Sequence, residues 1–101
     1  MNDIVTDPSN AYRYARYVIK GRWPEGEEVI GASPVHAYLY ARNVIEGRWP
    51  EGEATIATSH SWAYLYARYV LKGRWPEAET VITSYPHYAK SYNKFLKEQK
   101  T

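Results

Sequence analysis

The sequence predicts an all-α fold, an α-solenoid of three 26-residue repeats closed by a C-terminal capping helix. Three observations predict it. The text recurs without gaps, as AYRYARYVIKGRWPEGEEVIGASPVH from Ala11, AYLYARNVIEGRWPEGEATIATSHSW from Ala37 and AYLYARYVLKGRWPEAETVITSYPHY from Ala63. A fixed period of about 20 to 50 residues marks stacked supersecondary units, each burying its apolar face against its neighbours. Within a copy, Ala11, Tyr14, Ala15 and Val18 fall at i, i+3, i+4 and i+7, a helical spacing that overrides the strand preference of the many Tyr, Val, Ile and Thr residues. Start and stop signals for helices then fall at matching places in every copy.

Each unit opens on a cap. Asp7-Pro8 and Ser33-Pro34 place an N-cap side chain before a Pro at the first helical position, and Ser59 repeats the cap with His60 in place of Pro. A long helix A runs through AYxYARxVI and is expected to stop at Gly21, Gly47 or Gly73, glycine suiting the left-handed position after a helix. Trp23, Trp49 and Trp75 each precede a Pro, which turns them away from helical geometry and predicts a sharp corner. Pro24, Pro50 and Pro76 then start a short helix B of one or two α or 3₁₀ turns, with Glu in its first turn. The repeats span 11–36, 37–62 and 63–88, the capping helix runs from about His87 to Gln99, and Ile4 and Val5 read as the tail of a preceding B element.

Composition sets the bounds. A chain of 101 residues is one domain's worth, able to bury roughly 65% of its extended surface. With no Cys there is no disulfide framework or thiolate site. The first ten residues, MNDIVTDPSN, carry no signal-like segment and no run is apolar enough to span a membrane, so a cytoplasmic protein is expected. The net charge of +2 comes from interleaved acids and bases, which argues against a general polyanion binder.

On a helical wheel at 100° per residue with Ala11 at zero, the invariant columns fill roughly 300° through zero to 140°. The columns that differ between copies lie together at roughly 180° to 260°: Asn10, Arg13, Tyr17 and Lys20; His36, Leu39, Asn43 and Glu46; Trp62, Leu65, Tyr69 and Lys72; Tyr88, Ser91, Phe95 and Glu98. A column that must fit the same neighbour in every copy is held to one type, so the repeated text is scaffold and binding information belongs to the variable stripe. In the last copy Asn93 replaces the Ala15-type residue and Lys97 the Ile19-type one, polar substitutions that a terminal cap needs. The part of the invariant arc that holds the Ala15-type and Ile19-type columns therefore faces the following copy. The part on the other side of Ala11, which holds the Tyr14-type column, faces the preceding one.

The stripe offers a candidate partner site of Leu39, Trp62, Leu65, Tyr69, Tyr88 and Phe95, flanked by Arg13 and Lys72. Trp, Tyr and Arg are enriched at interface hot spots. The competing reading packs this ridge on the chain's own helix B, and homo-oligomerisation through it is a third. A different site would be a ladder of Arg16, Arg42 and Arg68 interleaved with Tyr12, Tyr38 and Tyr64, able to hold a nucleic acid or nucleotide. The structural reading of the same arginines pairs them, and Arg22, Arg48 and Arg74, with the recurring Glu25, Glu27 and their equivalents in a salt-bridge ladder. His36, His60 and His87 occupy different columns, so no metal site is expected. Three copies of one carboxylate set do not suit one catalytic centre, and no Gly-rich phosphate loop or cofactor motif occurs, so the chain is expected not to be an enzyme.

The phrase AYLYARNVIEGRWPEGEATIATS resembles a short helical repeat that recurs in arrays in uncharacterised proteins of large tailed bacteriophages, and the resemblance covers Asp7 to about Tyr88. It implies a phage-derived interaction module in the bacterial cytoplasm, binding or inhibiting a host protein. The chain departs from that pattern in having few copies and in SHSW and SYPHY, where a Pro-containing cap is usual. The alternation of long and short helices also resembles leucine-rich variant repeats at the level of fold.

Overall fold

Caps at Asp7, Ser33 and Ser59 start three helices, each accepting a backbone N–H from the first turn, that of Ser9, His36 or Trp62. The computed structural model describes residues 7–99, which form helices joined by short turns, with no strand among them. In chain order the elements are α1 (Pro8–Arg13), a π-helical continuation π1 (Tyr14–Ile19), α2 (Pro24–Ile30), α3 (Pro34–Tyr40), π2 (Ala41–Ile45), α4 (Pro50–Ile56), α5 (His60–Tyr66), π3 (Ala67–Leu71), a 3₁₀ turn (Pro76–Ala78), α6 (Glu79–Ile82) and α7 (Pro86–Gln99). Ile4 and Val5, read as a preceding B element, lie outside the described residues.

Each A helix, α1–π1, α3–π2 or α5–π3, packs on its own B helix and on the next A helix, and α7 takes the fourth A position. The body is elongated, 46 × 25 × 18 Å, because contacts run mainly between consecutive copies. Its core repeats as the text does: Ala11, Ala37 and Ala63, Ala15, Ala41 and Ala67, and Ile30, Ile56 and Ile82 are all fully buried. Small residues in the first two columns let the helix backbones approach closely. The polar end follows the predicted direction, since Asn93 and Lys97 are exposed in the columns where Ala41 and Ala67 are buried and Ile45 and Leu71 half-buried.

Helix A ends differently from expectation. The residues with positive φ are Lys20, Glu46 and Lys72, at 62°, 61° and 58°, and none of the glycines adopts one. The cause is the π turn. The Ala15 carbonyl accepts from Lys20 at 2.7 Å and from Gly21 at 3.2 Å, so the chain leaves the helix one residue before the glycine. In the same way the Ala41 carbonyl accepts from Glu46 and Gly47, and the Ala67 carbonyl from Lys72 and Gly73. Helix α7 carries no Gly-Arg-Trp corner and stays α-helical throughout.

Candidate functional site

The corner is where copies are joined. The backbone N–H of Trp23 donates to the Tyr40 hydroxyl at 2.8 Å, and that hydroxyl donates to Glu27 Oε2 at 2.7 Å. Glu27 also accepts both arms of Arg22, Nε at 2.9 Å and Nη2 at 3.0 Å. The same relay joins Tyr66 to Trp49, Glu53 and Arg48, and Tyr92 to Trp75, Glu79 and Arg74. Every relay tyrosine therefore reaches back into the preceding copy, as the wheel predicted for its arc. Burial pushes the Glu27 carboxyl up, but hydrogen bonds from Arg22 and Tyr40 outweigh it and hold the group below the usual carboxylate range. Burial, reinforced by the carboxylate each donates to, raises the Tyr40 and Tyr92 phenols to about 12 and raises Tyr66 as well. Within its own copy each corner Trp packs on the relay-column tyrosine, at 4.7 to 4.8 Å between ring centroids for Tyr14–Trp23, Tyr40–Trp49 and Tyr66–Trp75. The indole nitrogens of Trp49 and Trp75 are buried without a hydrogen-bond partner among the described residues, so these residues are held by ring packing and the backbone N–H.

The third corner shows what one methyl group does. A Cβ on Gly26 or Gly52 would stand 2.3 or 2.5 Å from the corner indole, too close for any side chain. In the third copy Ala78 occupies this place, the helix begins as a 3₁₀ turn rather than α, and Arg74 holds Glu79 through a single Nη1 contact of 2.7 Å instead of a fork.

The predicted salt-bridge ladder thus forms on one arginine column. Arg22, Arg48 and Arg74 pair with Glu27, Glu53 and Glu79, whereas Arg16, Arg42 and Arg68 donate to the hydroxyls of Tyr12, Tyr38 and Tyr64 at 2.7 to 2.8 Å. These tyrosines are at most 8% exposed, because His36, Trp62 and Tyr88 of the following A helix lie against them. Their faces are not open platforms for bases, and of that ladder it is the guanidinium groups that reach the surface.

The variable stripe splits in two, one part packed on the preceding A helix and one part turned outward. The Asn10-type and Tyr17-type columns border the arc that meets the preceding copy, and from the second A helix on they pack toward it. Trp62 rests on Tyr38 with ring centroids 5.5 Å apart. Asn43 donates to the Tyr12 hydroxyl at 3.0 Å, while Tyr69 and Phe95 lie under Arg42 and Arg68 at 4.5 and 5.8 Å. Phe95 is 4% exposed, so it lies within the core rather than on a ridge; Trp62 and Tyr88 are half-buried. The Arg13-type and Lys20-type columns point outward: Arg13 and Lys72 are exposed and Leu39 and Leu65 half-buried; Tyr69, in the Tyr17-type column, stays 41% exposed beside Arg42.

Between the π turns of adjacent copies lie two equivalent open clefts. One, of about 430 Å³, is lined by Arg42, Glu46, Gly47, Tyr69, Val70 and Lys72; the other, of about 280 Å³, by Arg16, Lys20, Gly21, Asn43, Val44 and Glu46. Sequence reading singled out Arg42, Tyr69 and Lys72 for different sites and missed that the fold gathers them into one. The missed signal was the sharing of a helix end by consecutive copies. Among the described residues no group of His, Asp or Glu is placed to hold a metal ion, and no helix is long and apolar enough to cross a membrane. Comparison with family models, curated proteins and solved structures finds no match for the chain.

Proposed function

We propose that the chain is a non-enzymatic α-solenoid that binds a protein partner through the outward half of its variable stripe: Arg13, Leu39 and Leu65 along the A helices, with Tyr69 and Lys72 at the larger cleft. One observation carries this reading. The invariant tyrosine, tryptophan and glutamate columns are consumed in matching contacts between copies, while the columns that hold these residues vary along the chain and the residues remain partly or wholly exposed. Apolar surface at Leu39 and Leu65 bordered by Arg13, Tyr69 and Lys72 matches the composition of interface hot spots. The resemblance to bacteriophage repeats supports a bacterial host protein as the partner and the host cytoplasm as the place.

The test is affinity capture from bacterial lysate treated with nuclease, comparing the wild type with a Leu39→Ser/Leu65→Ser/Lys72→Glu variant whose circular dichroism is unchanged. A protein retained by the wild type and lost by the variant is the expected result. Capture of nucleic acid that falls steeply with salt, or equal capture by both chains, would overturn the assignment.

A further inference from the structure

The column of relay tyrosines has four members, and the fourth points to a second docking face. Tyr40, Tyr66 and Tyr92 each clip the Trp-Pro-Glu corner of the copy before them. Tyr14 stands in the same column, packs on Trp23 as its equivalents pack on their own corners, and its hydroxyl has no hydrogen bond to the described residues. Around it, Val18 and Tyr17 are each 61% exposed. Their column mates are covered by the preceding copy: Val44, Val70 and Leu96 are half-buried against the core, and Tyr69 and Phe95 take a preceding arginine over their rings. The face of α1–π1 thus repeats in register a surface that closes on a neighbouring copy three times within this chain, with tyrosine kept in the Tyr14 column, an aliphatic residue in the Val18 column, and Asn43, Tyr69 and Phe95 in the Tyr17 column.

We propose that the face of Tyr14, Tyr17 and Val18 is an interaction site for another repeat of this type, the partner repeat presenting a Tyr-Ala-Arg helix followed by a Gly-Arg-Trp-Pro-Glu corner. The occupant is defined by complementarity already visible inside the molecule. The Tyr14 hydroxyl would accept the backbone N–H of the partner's corner tryptophan and donate to its second glutamate. Tyr17 would lie under its helix arginine, and Val18 would pack against its buried alanine and isoleucine columns. Helix α7 presents Asn93 and Lys97 rather than a Trp-Pro corner, so the matching surface is not on that helix. The proposal uses a different face from the partner-binding stripe and stands or falls separately.

The probe is a fluorescently labelled synthetic peptide with the sequence of residues 37–62, titrated into the full chain by polarisation, beside Tyr14→Phe and Val18→Asp variants and a peptide in which the glutamate equivalent to Glu53 is replaced by Gln. Saturable binding is expected. It should weaken by on the order of tenfold with Tyr14→Phe or the Gln peptide, the loss of a hydrogen bond to a charged group, and disappear with Val18→Asp. Both substitutions leave the three internal relays intact, so an unchanged melting temperature separates lost docking from unfolding. No saturable binding, or binding that neither substitution alters, would overturn the proposal. So would a dimer of the chain that Val18→Asp dissociates and the peptide cannot compete, because the occupant would then be a second copy using a different surface.

Discussion

The hydroxyl of Tyr66 accepts the backbone N–H of Trp49 at 2.8 Å across a separation of 17 residues. Both residues are essentially buried. The bond therefore satisfies a donor that the Trp-Pro corner removes from any helical pairing, and it does so from the next copy. Removing it strands that donor and loses one bond to Glu53. Tyr66→Phe is expected to cost about 1 to 3 kcal/mol, the range for a buried group left unsatisfied. Tyr38→Phe deletes a hydroxyl that serves the exposed Arg42, which water can replace, so it should cost less, about 0.5 to 1 kcal/mol. Urea denaturation of the two variants checks the order; equal losses would show that the relay does not join the copies.

High pH should loosen the same joints. The Tyr40 and Tyr92 phenols are raised to about 12, above the value of about 10 that an unfolded chain gives them. A group raised on folding stabilises the native state fully below its unfolded pKa, and that stabilisation is lost as pH climbs through the folded value. The urea midpoint should therefore stay level to about pH 10 and fall between about 10 and 12. Tyr40→Phe should shallow the fall and remove one late-ionising phenol from the absorbance titration. Glu27 works in the opposite direction. Its carboxyl is held below the ordinary range, so its contribution is present above about pH 4.5 and disappears as acid takes the pH through the lower folded value.

How much of this was readable in the sequence depends on the range of the interaction. Caps, corners and both helices of each copy follow from residues within about one turn of each other, and Asp7, Ser33 and Trp49 do what their types dictate. The direction of stacking was legible too, because Asn93 and Lys97 mark the end of the array in columns that Ala15 and Ile19 identify. The relay was not. Tyr40 and Glu27 are each part of an invariant column, but a contact between a helix and the preceding copy's corner depends on how the copies are offset, which no periodicity reveals. The same offset explains Phe95 and Trp62. Variation in their columns reflects different partners among Tyr38, Arg68 and their equivalents, so variable did not mean exposed.

A methyl group at Gly52 should be unfavourable despite its better helix propensity. Ala in place of Gly inside a helix is ordinarily worth about 1 kcal/mol. Here the new Cβ would meet Trp49 Cε3 at 2.5 Å, and the buried indole has little room to move. Gly52→Ala is expected to destabilise by about 1 kcal/mol, within the usual range for overpacking, and to turn the start of α4 into the 3₁₀ turn seen at Pro76–Ala78. The reverse change, Ala78→Gly, should restore a two-armed contact between Arg74 and Glu79. Urea midpoints and a crystal structure of each variant decide it; a more stable Gly52→Ala would mean the corner is softer than its packing indicates.

The final prediction concerns two neighbouring residues whose expected roles are exchanged. Glu46 holds φ at 61°, a left-handed conformation that costs a residue with a Cβ roughly 1 kcal/mol, while Gly47 is not left-handed and a Cβ added there meets nothing within 4 Å. Glu46→Gly relieves that strain but increases the freedom of the unfolded chain, leaving a net gain of about 0.5 kcal/mol. Gly47→Ala restricts the unfolded chain without a clash and should stabilise by about 0.4 to 1 kcal/mol. Had the helix ended as the glycine's position suggests, Gly47→Ala would be clearly destabilising. Thermal and urea unfolding of both variants therefore tests the π turn itself, since only a helix that widens before its end brings Glu46 rather than Gly47 to the left-handed position.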